Sequence, residues 1–563
     1  MQAPELKGFT LKKPTYLSVP LSKNLEDLSG FYSPTTFYPG LSILTGVTLD
    51  PKSPVWLDHR KRVISSGVAL SNSSSGRIQL TIETNGPTQG LDVEDISGFR
   101  KITHLLDPVR WIQGKYDPES IKEKLSDAMN QAYVEALATY SLGKLREENI
   151  SPHFHAFYGA FSAEADTYAY NISDSYLSYR HCRWFWTGQE KDIFKLCFDE
   201  SLPEDIKNAI LDVPDNLEDD SDFDSDSDSE ECLDELDTGS YVKETIGSIR
   251  SMSEDELETV SGSEKEEEED DEDDDDDEDD EDDEDDESNS DVEIFAKVKK
   301  FPVMMIFTES SENTMDSLLD NYQELECEPG SEKWEAIWTA WIFQVIAALT
   351  VVQRIFGFTH NDLHTNNIVW ERTDKEFLFY KSVDGTIFRI PTFGKIFKII
   401  DFGRSIFKIN ETIFYSDDFR KGNDAGDQYC FGDLKTDNTD TDVHPNPSFD
   451  LSRFTVSLFD SLFPEPPPKR KNGAILSKEP GLIIKETESD LYNLLWSWLL
   501  CDDGHNVLID ANGDERYPDF DLYKVIAAKV HGAIPSQQLR KPIFECFHFK
   551  QSLEDQKVYA LFV

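Results

Sequence analysis

The segment from 215 to 293 sets the first limit on how this 563-residue chain can fold. It holds 43 acidic and 3 basic residues, a net charge of −40. Ser-Asp repeats ("SDFDSDSDSEE") open it, and an almost unbroken Asp/Glu block follows. Such a run cannot bury enough apolar surface to offset its ordering entropy, so it is expected to be a disordered insertion. Any core must come from the flanking sequence. Those 484 residues carry −17 of the formal −57, the balance of a mildly acidic globular protein. At ~100–200 residues per domain they suffice for a two-lobed domain with insertions.

Several function classes drop out early. No basic run is large enough to serve as a nucleic-acid patch. The seven cysteines are scattered, with no C-x-x-C pair, which fits a reducing compartment and no structural zinc. The N-terminal "MQAPELKGFTLKK" lacks an apolar signal-peptide region. The apolar stretch "AIWTAWIFQVIAALTVV" (336–352) contains Gln344 and is followed by Gln353 and Arg354. It reads as a buried helix and not as a membrane span. The expectation is an intracellular protein that binds neither membrane nor nucleic acid.

Patterning divides the rest. Residues 1–60, rich in Pro, Ser and Tyr, read as an irregular extension. Strand-like text covers 61–104, broken at Asn85-Gly86-Pro87. A run with apolar residues at three- and four-residue spacing predicts a helix over about 120–149, and 151–161 reads as a strand start. After the acidic insertion, "FAKVKKFPVMMIFTES" is an apolar strand and 332–356 a helix. Asp384-Gly385 between two β-rich runs predicts a hairpin at 377–391. "FKIIDFGRSIF" (397–407) is a strand running into Asp401-Phe402-Gly403, and the tail beyond about 448 has helical patterns. The organisation expected is an extension at 1–60, a β-rich lobe at 61–214, the insertion at 215–293, the lobe's end with a hinge at 294–320, and a mainly helical lobe at 321–563.

The chemistry is carried by "HNDLHTNNI" and "KIIDFGRS". His360, Asp362, Leu363 and Asn367 fit H-x-D-L-x-x-x-N after a long apolar helix, and Asp401 closes an apolar strand. A hydroxyl about to be phosphorylated needs a carboxylate to orient it and take its proton, a role for Asp362. Phosphate charge needs cations held by oxygen donors, a role for Asn367 and Asp401. Gly403 is expected to turn the chain sharply beside the metal.

These motifs resemble the protein kinase-like superfamily, and in particular the serine/threonine kinases of large nucleocytoplasmic DNA viruses. The H-x-D-L-H-x-x-N form, with His364, is also similar to haspin-type kinases and aminoglycoside phosphotransferases. The resemblance implies an α+β, bilobal fold, ATP and Mg²⁺ as cofactors, and transfer of the γ-phosphoryl group to Ser/Thr of a protein substrate; separately, the −40 charge of the insertion would attract basic partners at low salt. The resemblance further implies a lysine on the phosphates paired with a helix glutamate. Lys101 with Glu135 is the first choice, Arg100 or Lys115 could replace the lysine, and an ordinary surface lysine and solvated glutamate stand against both. Gly67 and Gly76 would flank a phosphate-covering loop, or else a plain Ser-rich hairpin. Thr308 and Glu309 would begin the adenine-contacting hinge, or simply end a strand. His364 would donate to the transferring group, most strongly when protonated, and Asp450 would be a structural aspartate.

The departures are informative. Asp362 and Asp401 stand 39 residues apart, with the hairpin as the excess, and no A-P-E follows. Asn361 replaces the arginine that binds an activating phosphate, so activity should not require phosphorylation at Tyr415 or Ser416. A small-molecule phosphotransferase and an inactive scaffold are the competing readings. "DANGDERYPDFD" (510–521) imitates a calcium loop but has Glu515 where glycine is needed, so a turn at Asn512-Gly513 is expected. The glycosylation pattern at Asn171 means nothing without secretion.

Overall fold

The computed structural model describes residues 15–16, 30–46, 55–67, 75–85, 91–199, 201–214, 216–217, 292–320, 325, 327–431, 443–479, 482–510, 515–551, 553 and 556–562. The acidic insertion therefore lies almost wholly outside the described residues, as do the 68–74 loop and the turn at Asn512-Gly513. The chain divides into two compact units. One spans 1–111, 116–168 and 300–563, and the other 112–115 and 169–299.

In chain order the first strands are β1 (Phe31–Thr35), β2 (Lys61–Ser66), β3 (Gly76–Asn85), β4 (Leu91–His104), β5 (Phe157–Asn171), β6 (Phe194–Cys197) and β7 (Phe295–Glu309). Six of them form a sheet in the order β1-β5-β7-β4-β3-β2, and β6 pairs with Phe295–Val298 at the start of β7. The expected irregular extension thus contributes an edge strand. The signal was hidden because "FYSPT" carries a proline and places Ser33 at φ 52°, features that sequence patterning assigns to a loop.

The helices include α1 (Gly40–Thr45), α2 (Pro118–Ser126), α3 (Gln131–Glu147), α4 (Arg183–Glu190, in the second unit), α5 (Glu332–Phe356), α6 (Phe449–Val456), α7 (Asp490–Trp498) and α8 (Asp521–Lys529). The single helix expected over 120–149 is two. Asp117 caps α2 by accepting from the backbone of Glu119 and Ser120 at 2.9 and 2.8 Å. Asp127 then folds back to accept from Met129 N at 2.9 Å, and Asn130 caps α3 through Ala132 N at 3.1 Å. Short polar side chains that compete for backbone N–H groups break a helix wherever they cluster.

Helix α5 is capped by Ser331 and stopped by Gly357 in the left-handed region. It is buried nearly throughout, which explains an apolar surface all round. Its one buried amide, Gln344, donates to Lys395 O at 3.2 Å and accepts from Phe397 N at 3.1 Å. Around α5 lie β8 (Asn313–Thr314), β9 (Ile368–Arg372), β10 (Phe377–Lys381), β11 (Ile387–Pro391), β12 (Lys395–Ile399) and β13 (Val558–Ala560). Strands β8-β9-β12 form one sheet and β11-β10-β13 another. The β10–β11 hairpin turns at Gly385, φ 92°. The strand anticipated at 151–161 begins only at Phe157. The preceding turn instead buries His153, whose ring bridges Phe397 O at 2.7 Å and the Tyr380 hydroxyl at 2.6 Å.

Candidate active site

Strand β4 and helix α3 bring Lys101 and Glu135 together. Lys101 Nζ lies 2.5 Å from Glu135 Oε1 and 2.8 Å from Asp401 Oδ1. Asp401 follows β12 and takes φ 64°, so the sharp turn expected at Gly403 falls on the aspartate itself. Gly403 is not left-handed, and its flank is occupied by Gln131. Burial alone would lower the Lys101 pKa, but Asp401 and Glu135 outweigh it and raise it above the ordinary range. Burial pushes Glu135 up to about 7 against the pull of Lys101. Asp401 is held down at about 2, burial being overcome by the lysine.

These groups sit at one end of a cleft of about 360 Å³ with apolar walls that include Phe99, Leu142, Ile306 and Val369. Thr308 lines it. Glu309, the neighbouring hinge candidate, does not. Its carboxylate instead neutralises the fully buried Lys398, at 2.7 Å, beside Glu371 at 2.6 Å, with Arg146 3.7 Å away. A buried ammonium demands such partners, and that demand claims Glu309. Gly67 and Gly76 also stay out of the cleft wall, where Ser75 and Arg77 lie. Gly67 N donates to Gln79 O at 2.8 Å as part of the hairpin. Of the alternative lysines, Arg100 is buried against the Phe31 ring and Lys115 belongs to the second unit.

The loop that carries Asp362 is held by its backbone. Buried Asp450 on α6 accepts from His360 N at 3.0 and 2.9 Å and from Asn361 N at 2.9 Å. Asn361 takes φ 65°, a conformation asparagine tolerates better than most side chains. Strand pairing sets Ile368 opposite Ile399, so Asn367, just before β9, lies next to the start of the Asp401 turn, with Ile400 N bonded to Asn367 O at 3.0 Å. The Asn367 amide nitrogen donates to Asp362 O at 2.9 Å and faces His364 Nε2 at 3.0 Å. Its Oδ1 stays outside both bonds. A carboxylate and a carboxamide oxygen from adjacent strand ends are the hard donors Mg²⁺ prefers when waters and phosphates complete its shell. The residues fit that ion, although no cluster of three or more His, Cys, Asp or Glu exists among the described residues.

His364 departs from expectation. Its Nε2 accepts from Asn367, and burial lowers its pKa below the ordinary imidazole value. With Nε2 bonded to the Asn367 amide the ring orients Asn367, and burial works against the protonated donor that was expected. One contact had no sequence signal at all. Tyr523 on α8, 161 residues downstream, donates its hydroxyl to Asp362 Oδ1 at 2.7 Å.

No known family profile matches the chain. Over 97 residues the chain is 36% identical to a protein of Dictyostelium discoideum described as a probable serine/threonine-protein kinase. The match covers 16% of this chain and 8% of that relative. It is a kinase-like relationship over a small part of either protein.

Proposed function

We propose that the chain is an ATP- and Mg²⁺-dependent protein kinase with a bilobal fold, transferring the γ-phosphoryl group to Ser or Thr hydroxyls. The observation that carries this reading is the Lys101–Glu135–Asp401 ion cluster at the end of an apolar cleft, with the Asp362–Asn367 loop paired to the same strand. Apolar walls beside Thr308 suit a purine, and Lys101 is the charge for its phosphates. Bound between Asp401 and Asn367, Mg²⁺ would supply neutralisation of phosphate charge. Asp362 takes the acceptor's proton as the acceptor oxygen bonds to the γ-phosphorus and the bond to the β-phosphate oxygen breaks, releasing ADP. The acidic insertion would favour basic protein substrates at low salt.

The test is purified full-length protein with labelled ATP and Mg²⁺, offered basic proteins and, separately, small alcohols, with Asp401→Ala as control. Label on Ser/Thr of protein, lost in the control, is expected. Label appearing solely on small alcohols would replace this reading with a small-molecule phosphotransferase.

A further inference from the structure

Helix α6 and the residue after it hold the Asp362 loop at two points, and a third residue spaced on the same helix face holds Tyr523. Asp450 holds the backbone of His360 and Asn361, as described above. Ser457, just past the helix end, accepts from Thr365 N at 3.1 Å. Between them stands Arg453, whose Nε lies 2.9 Å from the Tyr523 hydroxyl and whose guanidinium stacks 5.1 Å from the centre of that ring. Tyr523 is further wedged between Phe520 and Phe449, at 5.2 and 5.8 Å between ring centres.

This geometry fixes the direction of every proton. Arginine only donates, so the Tyr523 oxygen accepts from Arg453 and must aim its own hydrogen at Asp362 Oδ1. Burial first, then the Asp362 charge, raises the Tyr523 pKa, which keeps the phenol a donor at neutral pH. Arg404 and His364 are the other charged or titratable groups facing Asp362. Neither has a direct hydrogen bond to its carboxylate among the described residues.

We propose that Tyr523, oriented by Arg453, is a positioning residue that fixes the Asp362 carboxylate by binding Oδ1 and leaves Oδ2 to receive the acceptor's proton. The proposal rests on the kinase reading for its consequence, but the contact is testable without it. A tyrosine so near a candidate base could instead occupy the place of the acceptor hydroxyl. The packed ring argues against that, because a mimic must leave when substrate arrives and Tyr523 is held on three sides.

The experiment is Tyr523→Phe in the full chain, which keeps the ring packing and removes only the hydroxyl. Two readouts are needed. Steady-state kinetics should show kcat lower by about tenfold, the worth of one hydrogen bond to a charged group, with KM for ATP unchanged. A merely structural role would not confine the loss to kcat. Hydrogen exchange should quicken at residues 358–367 and stay the same in β4 and α3. An unchanged or increased kcat overturns the proposal, and so does unchanged exchange in that loop. If wild-type protein transfers no phosphate, the kinase reading fails by itself and the exchange experiment still decides the contact.

Discussion

Asp362 and Asp401, the two aspartates of the site, should answer differently to removal. On the proposed reading, Asp362→Asn removes a proton acceptor and leaves the phosphate ligands in place. It should cut turnover by ~10²–10⁴-fold with nucleotide affinity nearly unchanged. Asp401→Ala removes a cation ligand and the partner of Lys101, so Mg²⁺-dependent ATP binding should weaken as well. Calorimetric titration with ATP, with and without Mg²⁺, separates the two, and equal ATP affinity in both variants would contradict the assignment. The sequence made the aspartates legible because their chemistry demands fixed residue types at short spacing. It also picked out Lys101 and Glu135, but could not choose between them and ordinary surface residues until β4 and α3 were seen to meet. Glu309 misled for a physical reason: its role is set by Lys398, 89 residues away, which no local pattern reveals. Tyr523 was invisible for the same reason.

Among elements, the segment after Asp401 shows how order can be built without a phosphate. Tyr415 and Ser416 are fully buried, so neither is presented to a modifying enzyme. Buried Asp417 caps the start of α3 by accepting from Gln131 N at 2.9 Å and pairs with Lys124 on α2. Arg420 pairs with Asp127 in the turn between the two helices. Asn361 adds neutral bonds, donating to Arg404 O at 2.9 Å and accepting from the Tyr429 hydroxyl at 2.6 Å. Since α3 carries Glu135, these contacts tie the segment to the element that orients Lys101. Phosphatase treatment should therefore leave turnover unchanged, and a large loss would show that the segment is switched after all. Arg420→Ala should strand the buried Asp127 carboxylate and destabilise the fold by roughly 3 kcal/mol, read from chemical denaturation. The loss of arginine at 361 was readable in the sequence. The clasp that compensates was not, because its partners lie 293 residues apart and pair only in the fold.

At the scale of the whole molecule, burial of titratable groups sets how the fold answers acid. Burial lowers the histidines most: His59 and His155 to about 3, His104 and His153 to about 4. Such a group costs nothing above pH 6.5, where folded and unfolded forms are both neutral. As pH falls toward its folded value, only the unfolded chain takes up the proton, so stability is lost. Carboxylates raised by burial act in the opposite sense. Burial raises Glu135 and Asp418 to about 7; each takes up a proton in the fold as pH falls through 7, Glu135 at the expense of its ion pair with Lys101, while the unfolded chain keeps both ionised, so acidification from pH 7 toward 5 favours the fold. Near pH 5 each of the four histidines carries almost a full extra proton in the unfolded chain, so among these groups the histidines outweigh Glu135 and Asp418 as the pH falls below 6. The fold should therefore lose stability on acidification with a slope that steepens from pH 6.5 toward 5, at about 1.4 kcal/mol per pH unit for each net proton. Denaturant titrations at pH 6.5, 5.8 and 5.0 measure that slope, and a fold that gains stability over this range would refute the balance. His153→Gln is the sharpest check, since glutamine can still reach Phe397 O or the Tyr380 hydroxyl but cannot titrate. Whatever its absolute stability, its slope should be shallower by one proton, about 1.4 kcal/mol per pH unit.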